Sequence, residues 1–102
     1  MTDQNSSAAP SALKGEELRK LYGQLDGWTV VNEHHLEKEY KFKDFVEALA
    51  FVNRLGAAAE AAGHHPDIFL TWGRVKITLW THSIGGLSES DFNLAAEADK
   101  LR

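Results

Sequence analysis

Asp67-Ile68-Phe69-Leu70-Thr71-Trp72-Gly73-Arg74-Val75-Lys76-Ile77-Thr78-Leu79 holds two short runs of alternating character hinged on Trp72-Gly73. If that dipeptide is the two-residue link of a hairpin, Leu70 faces Val75 and Ile68 faces Ile77, with both apolar pairs on one side. A slip of one residue would set Ile68 and Leu70 against Lys76 and Thr78, so the hydrophobic pattern specifies the register. The other side then carries Phe69 with Lys76, Asp67 with Thr78 and His65 with Trp80. One step further, His82 falls opposite Gly63, beside His64 and His65, at the end remote from the turn. Pro66 has no N–H to give a ladder, so regular pairing is expected to stop near it.

Helical signals flank this hairpin. Asp44-x-x-Glu47 pairs an N-cap with its reciprocal partner. It predicts a helix with Phe45, Ala48, Leu49, Val52, Leu55 and Ala59 on one face, running to Ala62 and closing at Gly63. Ser88-x-x-Asp91 opens another, with Leu87 placed to staple against Phe92 and with Leu94, Ala98 and Leu101 offered to the core. Leu13, Leu18, Leu21 and Leu25 predict a first helix over 13–24, stopped by Asp26-Gly27. Between the first two helices, Trp28 to Asn32 and Leu36 to Phe42 are rich in β-formers and flank Glu33-His34-His35. They suggest a second hairpin, although Lys38 breaks its alternation by sharing the parity of Leu36 and Tyr40. The division expected is a flexible tail over 1–12 and one domain over 13–102.

Composition narrows the function classes. In 102 residues, 43% hydrophobic and 25% charged, one compact unit is expected. No run approaches the roughly 20 apolar residues that would span a bilayer. The net charge is −4 and the Lys and Arg residues are scattered singly, which speaks against direct nucleic-acid or anionic-lipid binding. The absence of cysteine removes disulfides, thiolate nucleophiles and cysteine-rich zinc sites, and it suits a cytoplasmic setting. The first ten residues lack the basic start and apolar centre of a secretory signal.

Titratable groups concentrate between Glu60 and Asp91: Glu60, His64, His65, His82 and Asp91. Imidazoles exchange protons near neutrality, so proton-transfer chemistry is the first hypothesis. Glu60 lies four residues before His64 and can hold an imidazole tautomer. Asp91 has an equal structural use as the capping acid of its helix. His34 and His35, in a turn, take an ordinary surface assignment. Trp72 and Trp80 are packing or interface residues on this reading, and Trp28 can be either core or ligand wall. Zinc held by His64, His82 and a carboxylate ranks second, since the spacing matches no standard zinc pattern. Ser83 and Ser88 lack any nucleophile-elbow context. Gly85-Gly86-Leu87 before Ser88 is a weak anion-site signal.

Glu60, His64, His65, Pro66, Trp72, His82 and Asp91, with Gly27-Trp28, Tyr40-Lys41-Phe42-Lys43-Asp44-Phe45 and Gly86-Leu87-Ser88, resemble the pterin-4a-carbinolamine dehydratase family. Some members of that family are also known as dimerisation cofactors of a homeodomain transcription factor. Gly63 is a departure, since relatives often carry Asn or Asp there. The resemblance implies an α+β fold, with a four-stranded antiparallel sheet and three helices packed on one face, assembled into homodimers or homotetramers. It also implies dehydration of 4a-hydroxytetrahydropterin to quinonoid dihydropterin without metal or organic cofactor, recycling the pterin of aromatic amino acid hydroxylases. On that basis His64, His65 and His82 are catalytic, and Glu60, Trp28 and Asp91 support or bind substrate. The competing expectation is a non-catalytic homo-oligomeric module that stabilises a protein partner.

Overall fold

In the computed structural model, residues 11–102 are described. Most of the expected tail, residues 1–10, lies outside them. Ala12 and Leu13 already belong to the domain. The Leu13 N–H donates to the Leu87 carbonyl at 2.8 Å, and a Cβ on Gly86 would stand only 2.5 Å from that of Ala12.

The elements run α1 (Gly15–Tyr22), β1 (Thr29–Val31), β2 (His35–Lys41), α2 (Phe45–Ala62), β3 (Asp67–Leu70), β4 (Arg74–Leu79) and α3 (Glu89–Leu101), with a 3-10 turn at His82–Ile84 before α3. All neighbouring strands are antiparallel, in the order β1-β2-β4-β3. The chain is therefore an α+β domain of three helices and one four-stranded sheet. In the β3–β4 hairpin Asp67 pairs with Thr78, Ile68 with Ile77, Phe69 with Lys76 and Leu70 with Val75. This is the register required by the apolar pattern. The Thr71 N–H closes the turn on the Arg74 carbonyl at 2.8 Å.

Leu36, Tyr40, Val75, Ile77 and Leu79 point to the covered side of the sheet, each no more than 3% exposed. Burying side chains of this size stabilises the fold by about 1.5–3 kcal/mol apiece. Their helical partners are Ala48, Phe51, Leu55 and Ala59 of α2, with Leu94, Ala95 and Ala98 of α3. The expected stripe of α2 is thus rotated: Phe51 is fully buried, whereas Phe45 and Leu49 are exposed. Apolar residues surround much of this helix, so periodicity alone could not select the inward face. Asp44 accepts from the Glu47 N–H at 2.9 Å, while the reciprocal bond is displaced by one residue, Glu47 Oε1 accepting from the Lys43 N–H at 3.4 Å, and Gly63 closes the helix in a left-handed conformation at φ 66°.

Lys38 departs from the alternation for a reason. It lies on the covered side, where its ammonium donates to Asp99 Oδ1 at 2.8 Å and to the Asp26 carbonyl at 2.8 Å. The Tyr40 hydroxyl donates to the same carboxylate oxygen, and the Trp28 indole N–H donates to Oδ2 at 3.2 Å. Burial, together with the hydrogen bond and charge of Asp99, raises the Tyr40 phenol well above the usual tyrosine range. Trp28 is 3% exposed, so the residue offered as a ligand wall is a core residue that ties β1 to α3.

Candidate active site

Two local events aim His64 at α3. Gly63 takes the chain out of α2, and the His64 N–H still donates to the Ala59 carbonyl at 3.1 Å, holding the first residue beyond the helix against its last turn. Asp91 meets it from the first turn of α3. His64 Nε2–H donates to Asp91 Oδ1 at 2.5 Å, while the Thr81 hydroxyl and the Ser88 N–H donate to Oδ2 at 2.7 and 2.9 Å. The Ser88 hydroxyl lies 2.7 Å from the Thr81 oxygen and donates to it, since the Thr81 proton is already committed.

Asp91 is 0% exposed, and the His64 side chain is 16% exposed. A carboxylate offers only acceptors, so Nε2 carries the proton of neutral His64 and Nδ1 remains the basic nitrogen. The helix N-terminus favours the anion. Both roles considered for Asp91 are thus combined, except that the imidazole it holds is that of His64 and not His82. A cavity of about 530 Å³, within the usual range for ligand pockets, opens on His64 and is lined also by Ala58, Ala61, Ala62, Ser90 and Asn93.

His65 Nε2–H donates to Glu60 Oε1 at 2.8 Å, with side-chain exposures of 65% and 82%. This is a solvated pair beside the buried one, and surface pairs of this kind contribute roughly 0–1 kcal/mol. His82 occupies the 3-10 turn with its ring 4.0 Å from that of Trp80, whose other neighbour is His34 at 4.4 Å. His34 Nδ1–H in turn donates to His35 Nδ1 at 3.0 Å, because His35 Nε2–H is directed to Glu37 at 3.2 Å. His34 and His35, given an ordinary assignment from sequence, therefore extend the row that contains His82. Nothing in their own spacing signals it, because the row forms only where β2 lies beside β4.

The structure does not bring the three site histidines into one contact. Among the described residues, no hydrogen bond or ring contact joins His82 to His64 or His65. The ladder ends at Asp67 and Thr78, and Thr81 then bridges to Gly86, so the chain leaves the strand direction before His82. Thr81 links the two regions, because its hydroxyl serves Asp91 and its peptide leads into His82. Sequence reasoning missed Thr81 altogether. Among the described residues, no three His, Asp or Glu side chains converge as a metal site, so the ligand set weighed for zinc is not assembled. The Ser88 hydroxyl and N–H are both engaged in the cap of α3.

Fold and site together define an α+β domain with a buried carboxylate–imidazole pair beside a pocket. The chain belongs to the pterin 4 alpha carbinolamine dehydratase family, whose model matches residues 11–101. It is 58% identical over 89 residues to a protein provisionally named pterin-4-alpha-carbinolamine dehydratase from Rubrobacter xylanophilus, covering 87% of this chain and 83% of the relative. The solved transcriptional coactivator/pterin dehydratase of Brucella melitensis superposes with a TM-score of 0.84 at 34% identity, covering 89% of this chain and 98% of that one. A pterin dehydratase-like protein identified as a RuBisCO assembly factor in the alpha-carboxysome superposes with a TM-score of 0.65 at 28% identity, over 74% of this chain and 89% of that one.

Proposed function

We propose that this chain dehydrates 4a-hydroxytetrahydropterin to quinonoid dihydropterin and so returns the pterin cofactor of aromatic amino acid hydroxylases to its cycle. The observation that carries the reading is the His64–Asp91 pair, in which a buried carboxylate orients an imidazole at the wall of a cavity. In the reaction the C4a–O bond breaks and the hydroxyl leaves as water after gaining a proton, while the neighbouring ring nitrogen gives one up. His64, held through Nε2 by Asp91 and presenting Nδ1, takes the nitrogen proton. His82, which does not line that cavity and adjoins the pair through Thr81, is assigned delivery of a proton to the departing hydroxyl. His65, held by Glu60, orients the substrate. Each proton transfer contributes about 10²–10⁴-fold. The pair regains its starting state when one proton passes from His64 to His82 through solvent.

The test is a stopped assay with freshly generated 4a-hydroxytetrahydropterin. His64→Ala and His82→Ala are expected to keep their melting temperatures within a few degrees and to lose most of the dehydration rate. Full activity in both variants would remove the assignment. Unchanged turnover after chelation is the expected result for a reaction that needs no metal.

A second reading is a homo-oligomeric module that stabilises a protein partner, favoured by the similarity to a RuBisCO assembly factor. Exposed Phe69 and Trp72 on the β3–β4 hairpin, with Phe45, Val46 and Leu49 on α2, supply apolar surface for a homodimer or homotetramer. On this reading, histidine substitutions leave function intact and substitutions at those apolar positions abolish it. Among the described residues, no helix is long and apolar enough to cross a membrane. A cysteine-free chain acting on a soluble pterin fits the cytoplasm.

A further inference from the structure

A cavity of about 490 Å³ lies beside the first turns of α2, walled by Lys41, Lys43, Glu47, Arg54 and Arg102 around Phe42 and Ala50. Four cations and one carboxylate surround it in a chain whose net charge is −4. Glu47 is turned toward Lys43, with its Oε2 3.6 Å from the ammonium. Among the described residues, no carboxylate pairs with Lys41, Arg54 or Arg102. Asp26, Glu39 and Asp99 share a neighbouring cavity with Lys41 and Arg102, but the lining of this one, four cations to one carboxylate, favours an anion.

The two guanidinium groups are held by uncharged partners. Arg54 Nε–H donates to the Leu101 carbonyl at 2.9 Å, and among the described residues neither of its terminal nitrogens makes a hydrogen bond. Arg102 donates through one terminal nitrogen to the Lys41 carbonyl and stacks on Phe42, its guanidinium carbon 5.2 Å from the ring centre. Backbone carbonyls and a ring face fix direction without neutralising charge. Part of the entropy cost of ordering an arginine fork is thereby met before any ligand arrives.

We propose that this cavity binds a small phosphate-bearing molecule, with the forks of Arg54 and Arg102 on the phosphoryl oxygens and Lys41 and Lys43 as flanking charges. Planar N–H forks match phosphate oxygens two at a time, and ammonium groups add charge without a preferred angle. The cations ring one cavity and do not form a stripe, which selects a compact anion over a nucleic-acid backbone. This site stands apart from the histidine centre. The cavity takes Glu47, Ala50 and Arg54 from α2, and His64 lies beyond the end of that helix, about 15 Å along it from Arg54.

The test titrates the full chain with pyrophosphate by calorimetry at low salt, while two-dimensional NMR follows the arginine Nε–H signals. Expected are saturation by one pyrophosphate per chain, shifts at Arg54 and Arg102, and at least a tenfold loss of affinity in R54Q/R102Q. The variant K41Q/K43Q, which leaves both guanidinium anchors in place, should weaken binding severalfold, and its amide spectrum reports that the fold is kept. R54K should also weaken binding, because it keeps the charge and loses the fork. Absence of saturation at 10 mM pyrophosphate, roughly the millimolar limit of useful affinity, would overturn the proposal. So would equal affinity in both multiple variants, or tighter binding of an acidic peptide or a single-stranded oligonucleotide than of pyrophosphate. The readout needs no dehydration, so its failure and failure of the dehydratase assignment are distinguishable.

Discussion

α3 carries two carboxylates that each collect several hydrogen bonds, Asp91 in its first turn and Asp99 in its last. Asp99 receives an ammonium, a phenol and an indole N–H, of which Lys38 supplies a fixed positive charge. Asp91 receives two neutral donors and an imidazole. The two acids differ in partner: Asp99 faces an ammonium, whereas Asp91 holds an imidazole through Nε2. Asp99 fastens β1 and β2 to the end of α3, whereas Asp91 orients the His64 imidazole beside a cavity. Similar hydrogen-bond counts therefore fasten strands to one end of the helix and, on the proposed function, serve chemistry at the other.

The largest expected difference is in turnover. Asp91→Asn keeps the shape but removes the charge that holds the Nε2–H tautomer of His64, and the dehydration rate should fall about 10²-fold or more. Asp99→Asn should leave the rate within twofold. Equal losses in the two variants would erase the distinction.

Stability should rank the two sites the other way. Asp99→Asn leaves Lys38 without a counter-charge and weakens three bonds, at a cost of about 2–3 kcal/mol, read as a lowered urea midpoint. A narrower cut is Tyr40→Phe, which removes one bond to the same acid and costs about 1 kcal/mol. Its effect sharpens the comparison if it is confined to stability.

The smallest effect is the alkaline one. A folded-state phenol raised above its unfolded value, about 10, contributes stability that is fully present below that pH and is lost as pH climbs toward the folded value. Wild-type unfolding free energy should therefore decline above pH 10. Tyr40→Phe should flatten the decline, while His64→Ala leaves it in place.

Asp44, Gly63, Ser88 and Gly73 were legible because caps and turns depend on short-range chemistry. The register of β3 with β4 was legible because a slip would reverse every side chain. The row of His34, Trp80 and His82 was not, since it depends on β2 lying beside β4, a pairing that no local signal encodes. Nor could spacing foretell that Glu60 would hold His65, or that Trp28 would be buried.

What the sequence determined by itself was the set of elements, the β3–β4 register and the inventory of imidazoles and carboxylates, because each follows from interactions spanning a few residues or from period-two alternation. Only the tertiary structure decided that Asp91 would meet His64, that Lys38 would turn inward to Asp99, and that Lys41, Lys43, Arg54 and Arg102, scattered singly along the chain, would ring one cavity. These meetings join residues on different elements, and they exist only once helix packing has set the distances over which charges and hydrogen bonds act.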